Sequence, residues 1–343
     1  MIEARSYHRR VQQGKSLGRV NSVLRQRGFT LVELLVAMVI GLLISLAAIS
    51  ALLISSQGFS AVDSSSQLRD NGRFVSDLIQ RLGVQAGFRD ALYSGAAPPS
   101  VSGLAVNPEP NVRGFNDALI DGTTPFTAFV ARTTADGSDV LVLRYQVAET
   151  FPGSGVSDKS MIDCKGLAST VLPIDRYDTI ASAIHVADST GEPSLMCTTV
   201  NALTGAVDTQ PIIRGVENFQ VLYGVDGVVA GAAPTATTDT VPDSYLRADQ
   251  LTVGGNAVAT NANWRRVRSI RVGMVLRGSA NSALDKSALT LYPLGLAKSS
   301  SSAGVGSAMS SANDKGSVYA PTLDGRLRQV VTFTVHLRND QGL

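Results

Sequence analysis

The sequence predicts an α+β protein in which one long N-terminal helix packs on an antiparallel β-sheet. An apolar segment at 29–54 is followed by helical periodicity, and no proline occurs before Pro98. Beyond residue 110, short runs alternate between apolar and polar residues. A 3.6-residue period favours helix, and strict alternation favours strands with one buried face. Hydrophobic residues make up 44% of the 343-residue chain, which excludes wholesale disorder.

The helix is predicted over residues 29–92. Residues 34–62 carry no charge, and the apolar stretch 34–54 would rise about 31 Å as a helix, enough to cross a bilayer core. We therefore predict a transmembrane first half at 29–54 and an amphipathic second half. The predicted core stripe of the second half consists of Leu68, Val75, Leu78, Ile79, Leu82 and Ala86.

The remainder, 93–343, is predicted to be a β-rich globular head. Alternating runs predict strands at 139–147, 218–223, 267–277 and 329–338, each with one polar face. Segments rich in Pro, Ala, Ser, Thr or Gly predict exposed loops at about 95–110, 228–242 and 298–311. The natural partner of the sheet's apolar face is the stripe of the long helix.

Charge is distributed unevenly between a basic N-terminal segment and a mildly acidic remainder. Residues 1–28 carry seven Lys/Arg and one acid, a net of +6, whereas the rest carries 23 basic and 27 acidic residues, a net of −4. The positive-inside rule places the N-terminus in the cytoplasm and the head across the membrane. A cleaved secretory signal or a generic anchor would also fit a basic, then apolar, N-terminus. Neither explains Glu33 or the Gly28-Phe29 junction.

Residues 27–33 read RGFTLVE and run directly into the apolar span. This motif resembles the class III signal of type IV pilins and of type II secretion pseudopilins. The resemblance implies that a prepilin peptidase cleaves between Gly28 and Phe29, removes the leader 1–28 and N-methylates Phe29. It also implies that the apolar helix becomes the core of a filament.

Glu33 lies four residues into the mature helix, about 6 Å from its new N-terminus. A lone carboxylate packed among helices is costly, and the N-terminal amine of a neighbouring subunit would compensate its charge. Glu33 would also favour the positive end of its own helix dipole. The competing interpretation is a glutamate that only caps its own helix.

Four later stretches resemble the PilW family of minor pilins, and the chain is identified as a member of that family on their order. They read RLGVQAGF at 81–88, GSDVLVLRY at 137–145, GVENFQVLYGVD at 215–226 and VRSIRVGMVLRG at 267–278. The resemblance implies a pilin-like fold and a non-enzymatic role in priming pilus assembly, in a complex that caps the fibre. Implied partners are other minor pilins, the major pilin, a tip adhesin, the prepilin peptidase and the inner-membrane assembly platform. Twitching motility, adhesion and DNA uptake are the implied uses.

Cys164 and Cys197 are the two cysteines of the chain. They would lie on the periplasmic side, where disulfides persist, and the segment between them resembles the PilW cysteine region. We therefore predict a Cys164–Cys197 disulfide, with two free thiols as the alternative.

No cofactor or metal is expected. His185 and His336 lie in no catalytic motif, and GxSxG, HExxH and P-loop signatures are absent from the sequence. Residues 136–139 and 313–316 resemble calcium loops without the full ligand pattern, which favours turns. A basic cluster next to Trp264 could contact DNA, but a solvated strand edge or a subunit contact is favoured. That cluster comprises Arg265, Arg266, Arg268, Arg271 and Arg277.

Two other functions stay open at this point. One is a J-type minor pseudopilin of a type II secretion system, which shares the N-terminal motif. The other is a membrane-anchored periplasmic enzyme, which the missing acid–base and nucleophile motifs disfavour.

Overall fold

The computed structural model describes residues 28–95, 107–133, 136–235, 238–283, 285, 287–295 and 314–339. The chain divides into two units, Met1–Ile54 and Ser55–Leu343. The compact second unit begins at Ser55, so it includes the amphipathic half of the long helix as well as the residues predicted as the head. Of the predicted loops, 298–311 and most of 95–110 lie outside the described residues. The described part of 228–242 contains no helix or strand.

The elements of the described chain are two longer helices, one single-turn helix, a 3₁₀ turn and eleven strands. The helices are α1 (Leu31–Gln85), α2 (Ala91–Ser94) and α3 (Ala257–Trp264), and the 3₁₀ turn is Asp249–Leu251. The strands are β1 (Val112–Phe115), β2 (Ala118–Ile120), β3 (Phe129–Ala131), β4 (Val140–Tyr145), β5 (Ile180–Ser189), β6 (Glu192–Val200), β7 (Val207–Arg214), β8 (Val216–Val225), β9 (Ser244–Leu246), β10 (Val267–Arg277) and β11 (Arg328–His336).

Helix α1 ends at Gln85, and the prediction that it continues to Leu92 is wrong. Gly87 has a φ of +79°, a left-handed conformation that favours glycine and ends a helix. Its N–H donates to the carbonyl of Arg144 at 2.9 Å instead of continuing the helical ladder. The chain therefore turns onto β4 at this point.

The strands form two larger antiparallel sheets and one small hairpin. Sheet 1 has the order β1-β4-β5-β6-β7, and sheet 2 has the order β11-β10-β8-β9. The hairpin pairs β2 with β3. The predicted class, a long helix on antiparallel sheet, is confirmed.

The predicted helical stripe lies in the main core of the second unit. Leu68, Val75, Ile79 and Leu82 are buried together with apolar side chains of both sheets, and Leu78 packs against them partly buried. These positions fall on one side of α1 because they follow its 3.6-residue period.

The prediction of one polar face per strand is wrong for β4 and β8, which are buried along their whole length. On β4, Leu141 and Leu143 join the main core, whereas Val140 and Val142 pack in a second apolar cluster that includes Phe115. Strands in the centre of a layered fold are covered on both sides, so they need not alternate.

Two glycines of α1 pack tightly against sheet 2. A Cβ at Gly72 would lie 2.8 Å from Cγ2 of Val331, and one at Gly83 would lie 2.6 Å from Cγ1 of Val335. Both valines belong to β11. Because glycine has no side chain, β11 can lie directly against the helix. The resulting packing offsets the low helix propensity of glycine.

Candidate functional site

The N-terminus of α1 is closed by a reciprocal capping box. Glu33 accepts hydrogen bonds through Oε2 from the backbone N–H of Thr30 at 3.0 Å and from its hydroxyl at 3.1 Å. The Thr30 hydroxyl in turn accepts from the backbone N–H of Glu33 at 3.2 Å. The T-x-x-E spacing within RGFTLVE is the sequence signal for this cap, and the contacts match the competing interpretation of Glu33 as a residue that caps its own helix.

The residues on either side of the predicted cleavage bond are freely accessible. Phe29 is 89% exposed, and nothing lies within 4 Å of the position that a Cβ of Gly28 would take. The following apolar side chains up to Ile54 are exposed around the whole circumference of α1. Within the described residues, α1 is the one helix long and apolar enough to cross a membrane.

Cys164 and Cys197 form the predicted disulfide, with Cα atoms 5.6 Å apart. Both residues are buried in the main core. Cys197 lies in the middle of β6, opposite Ile184 of β5. The backbone N–H of Cys164 also donates to the Ser182 hydroxyl at 3.1 Å. The bond thus fastens the long segment between β4 and β5 to the centre of sheet 1.

Side-chain amides hold the C-terminal end of α1 to the rest of the second unit. Gln85 donates to the carbonyl of Ile162 at 2.9 Å and accepts from its N–H at 3.1 Å. Asn339 donates to the carbonyls of Val84 at 3.0 Å and Ala86 at 3.1 Å. The Asn339 bond to Val84 satisfies a carbonyl that a helix end leaves without an intrahelical partner.

The segment 136–139 bonds to the outer edge of β8. The Asp139 N–H donates to the carbonyl of Phe219 at 2.8 Å, and its carboxylate accepts from the N–H of Val221 at 2.8 Å. The Ser138 hydroxyl accepts from the N–H of Phe219 at 3.2 Å. Burial, together with the nearby negative charge of Asp314, raises the pKa of Asp139 well above its usual range. The GSD part of GSDVLVLRY therefore joins the two sheets.

The two calcium-like loops approach each other in the fold, since a Cβ at Gly316 would clash with the carbonyl oxygen of Asp136. Asp314 accepts from the side-chain amide of Asn116 at 3.2 Å and lies 3.5 Å from Nε of Arg247. Its neighbour Asn313 lies outside the described residues. Among the residues that the structure describes, no group of three or more His, Cys, Asp or Glu side chains is arranged to hold a metal ion.

The histidines are placed as parts of strands. His185 is buried in β5, and its Nε2 lies 2.9 Å from the Thr198 hydroxyl. Burial and the nearby Arg132 lower the pKa of His185 to about 4, so the imidazole is neutral at pH 7. His336 is exposed at the end of β11.

The basic cluster next to Trp264 binds loops of its own chain. Arg265 donates to the carbonyl of Pro108 at 2.6 Å, and Arg266 donates to that of Thr235 at 3.0 Å. Arg271 donates to the carbonyl of Leu294 at 3.2 Å. These guanidinium groups fix irregular segments to β10 and to the two residues that precede it. The arrangement gives no separate support to a DNA-binding face.

A charged network that the sequence did not predict joins sheet 1 to sheet 2. Glu217 is buried, and it accepts from Arg328 at 2.7 and 3.0 Å and from Arg277 at 3.2 Å. Arg277 also donates to Glu192 at 3.1 Å, which ties the start of β6 to the end of β10. The partners are far apart in the sequence, so no spacing rule could have found them.

Two family models match separate parts of the chain. Residues 184–339 match the family model described as Type IV Pilus-assembly protein W, and residues 24–49 match the Prokaryotic N-terminal methylation motif. Among solved structures, the chain is similar to the type IV-like pilin TTHA1219 from Thermus thermophilus, at 11% identity and a TM-score of 0.36. That alignment covers 80% of this chain and 98% of the other. No curated protein sequence matches significantly.

Proposed function

We propose that this chain is a minor pilin of the PilW family of type IV pilus-assembly proteins, which helps to prime pilus assembly and sits in the complex at the pilus tip. The observation that carries the proposal is the presence of both family matches on one chain, at 24–49 and 184–339. Its role is structural rather than enzymatic. The assembled fibre would support twitching motility, adhesion or DNA uptake.

In this proposal a prepilin peptidase cleaves between Gly28 and Phe29 and N-methylates Phe29. The exposure of both residues supports access to the bond. The leader 1–28 stays in the cytoplasm because of its net charge of +6. The helix anchors the precursor in the inner membrane, and the head faces the periplasm until assembly.

Glu33 has two successive partners in this proposal. In the isolated chain it caps α1 through Thr30. The N–H of Thr30 survives cleavage, since it belongs to the Phe29–Thr30 peptide bond. In the fibre, the carboxylate compensates the N-terminal amine of a neighbouring subunit, because water is excluded there and charge attraction strengthens.

The other partners are further minor pilins, the major pilin, a tip adhesin and the inner-membrane assembly platform. The disulfide suits the periplasmic and extracellular compartments in which these partners act.

The test is complementation of a deletion strain with Gly28→Val and Glu33→Gln variants. Gly28→Val should accumulate precursor that keeps its leader. Glu33→Gln keeps an oxygen for the Thr30 cap but removes the charge, so it should be processed yet lower the number of surface pili. Gly41→Val and Asp63→Asn are matched controls, since a Cβ at Gly41 would meet nothing within 4 Å and Asp63 is exposed beyond the span. Wild-type piliation with both test variants would refute the proposal.

A further inference from the structure

A polar recess of about 260 Å³ lies on the main-core face of sheet 1, where β4 and β6 end and β5 and β7 begin. Strand pairing aligns Leu143 with Thr199 and Asp208 on that face. Tyr145 follows Leu143 by two residues, so its side chain points the same way. Tyr145, Thr199 and Asp208 all line the recess. The strands therefore bring polar side chains from distant parts of the sequence to one place.

The segment between β4 and β5 forms the opposite wall of the recess, and it is held firmly. Its Cys164 is bonded to β6 through the disulfide. The ammonium group of Lys165 donates to Oδ2 of Asp208 at 2.6 Å. Asp163 accepts through Oδ1 from the N–H of Lys165 at 2.8 Å and from that of Leu167 at 2.9 Å. The charged side chains are thus fixed before anything binds, which lowers the entropy lost on binding.

The hydroxyl of Tyr145 is a buried polar group that lacks a hydrogen-bond partner among the described residues. The residue is only 2% exposed, although it lines the recess. An unpaired buried hydroxyl costs free energy, and a bound group that can donate or accept a hydrogen bond recovers it. The recess therefore suits a ligand with polar atoms rather than an apolar one.

The charges of the recess favour a neutral ligand that carries several hydroxyl groups. Its lining has one positive charge on Lys165 and two negative charges on Asp163 and Asp208, a net of −1 that repels anions. The ammonium group would repel a cation in turn. The hydrogens and lone pairs that the Lys165–Asp208 pair leaves over match hydroxyl groups, which both donate and accept. The exposed Leu167 and Leu203 add apolar surface for the C–H face of a sugar ring.

An extended peptide fits the recess less well. Val200 already pairs with Val207, and the N–H of Asn201 donates to the carbonyl of Ala206 at 2.9 Å. The junction of β6 and β7 therefore offers side chains rather than open backbone groups. A volume of about 260 Å³ is also below the roughly 300–1,000 Å³ of a drug-sized site. The recess accordingly suits the end of a ligand, such as one terminal sugar ring.

We propose that this recess binds a neutral saccharide, whose terminal ring lies between Tyr145 and the Lys165–Asp208 pair. The inference goes beyond the proposed function and does not depend on it, since the recess is complete within the second unit. The saccharide could come from the surface of an animal cell or from a bacterial envelope, and the hydrogen-bonding chemistry is the same for both.

The first test is binding of the full-length chain to immobilised glycans, in a zwitterionic detergent that carries no sugar headgroup. The probes are neutral oligosaccharides of animal cell surfaces, neutral polysaccharides of bacterial envelopes, and acidic glycans with sialic or uronic acid. The chain should bind at least one neutral probe, and the set to which that probe belongs identifies the source. Binding to neither neutral set, or a preference for the acidic glycans, overturns the proposal.

The second test uses the neutral glycan that binds best. Tyr145→Phe should lower the affinity at least ~10-fold without lowering the urea midpoint, because the hydroxyl that it removes has no partner in the described chain. Tyr223→Phe is the matched control, since its hydroxyl is also buried and unpaired but lies outside the recess. Unchanged affinity in Tyr145→Phe, or an equal loss in both variants, overturns the proposal. Binding is measured on the isolated chain, so its failure leaves the proposed function standing, and failed piliation leaves this inference standing.

Discussion

Replacing Gly83 with alanine tests whether glycine is present in α1 for packing. In an open position the change would stabilise the helix by up to about 1 kcal/mol. At Gly83 the new Cβ would lie 2.6 Å from Cγ1 and 3.5 Å from Cβ of Val335. Val335 is 3% exposed, and its branched side chain has little freedom to rotate. Overpacking of this kind costs about 1–3 kcal/mol.

The gain in helix propensity and the cost of overpacking together predict that Gly83→Ala destabilises the chain by up to about 2 kcal/mol. Gly58→Ala is the matched control, because a Cβ there would meet nothing within 4 Å. The control should be neutral or stabilising. Adding Val335→Ala to Gly83→Ala should recover about 1–3 kcal/mol relative to the sum of the single changes.

The assay is urea unfolding of the full-length chain in detergent, followed by fluorescence of Trp264. This side chain is the single tryptophan of the sequence, and it is buried beside Tyr223. A Gly83→Ala chain at least as stable as Gly58→Ala would refute the packing argument, and so would strict additivity with Val335→Ala.

Three further predictions concern the second unit. Replacing both cysteines with serine should lower the free energy of unfolding by about 3–4 kcal/mol, the chain-entropy value for this loop; a free-thiol assay of the denatured wild type should find no thiol before reduction. The pKa of His185 in the folded chain is about 4, below its usual 6.5. The unfolded state therefore binds the proton first as the pH falls. The free energy of unfolding should decrease by up to about 3 kcal/mol between pH 6.5 and 4. His185→Gln should remove that part of the pH dependence in urea unfolding, and an unchanged slope would contradict it. Glu217→Ala should cost about 2–3 kcal/mol, because it removes two hydrogen bonds of the buried Arg328 guanidinium and leaves Asp324 as its partner carboxylate, whereas Asp249→Ala at the exposed pair with Arg247 should cost at most about 1 kcal/mol in the same assay.

Periodic segments of the fold could be predicted from the sequence. The strand predicted at 267–277 is β10, and the one predicted at 329–338 is β11, shifted by one or two residues. Their apolar residues alternate because one face packs on the core and the other does not. The disulfide could be predicted because compartment and cysteine number left few alternatives.

Strands β5, β6 and β7 were not predicted, because polar side chains interrupt their apolar pattern. His185, Thr198 and Thr209 join the three strands through a chain of hydrogen bonds. In the sequence alone, a buried polar residue whose hydrogen-bond partner lies on a neighbouring strand cannot be told from an exposed polar residue. Pairings such as Glu217 with Arg328 depend on the tertiary fold and carry no local signal. The roles of Gly28, Phe29 and Glu33 remain predictions.

The β8 side of sheet 2 is covered by more than one segment of the chain. Beyond β8 it ends in the three-residue strand β9 and in the hydrogen bonds from residues 136–139. Residues 136–139 lead directly into β4 of sheet 1, so the two sheets cannot separate without leaving backbone groups of β8 unpaired. Probes placed in either sheet should therefore report the same unfolding midpoint.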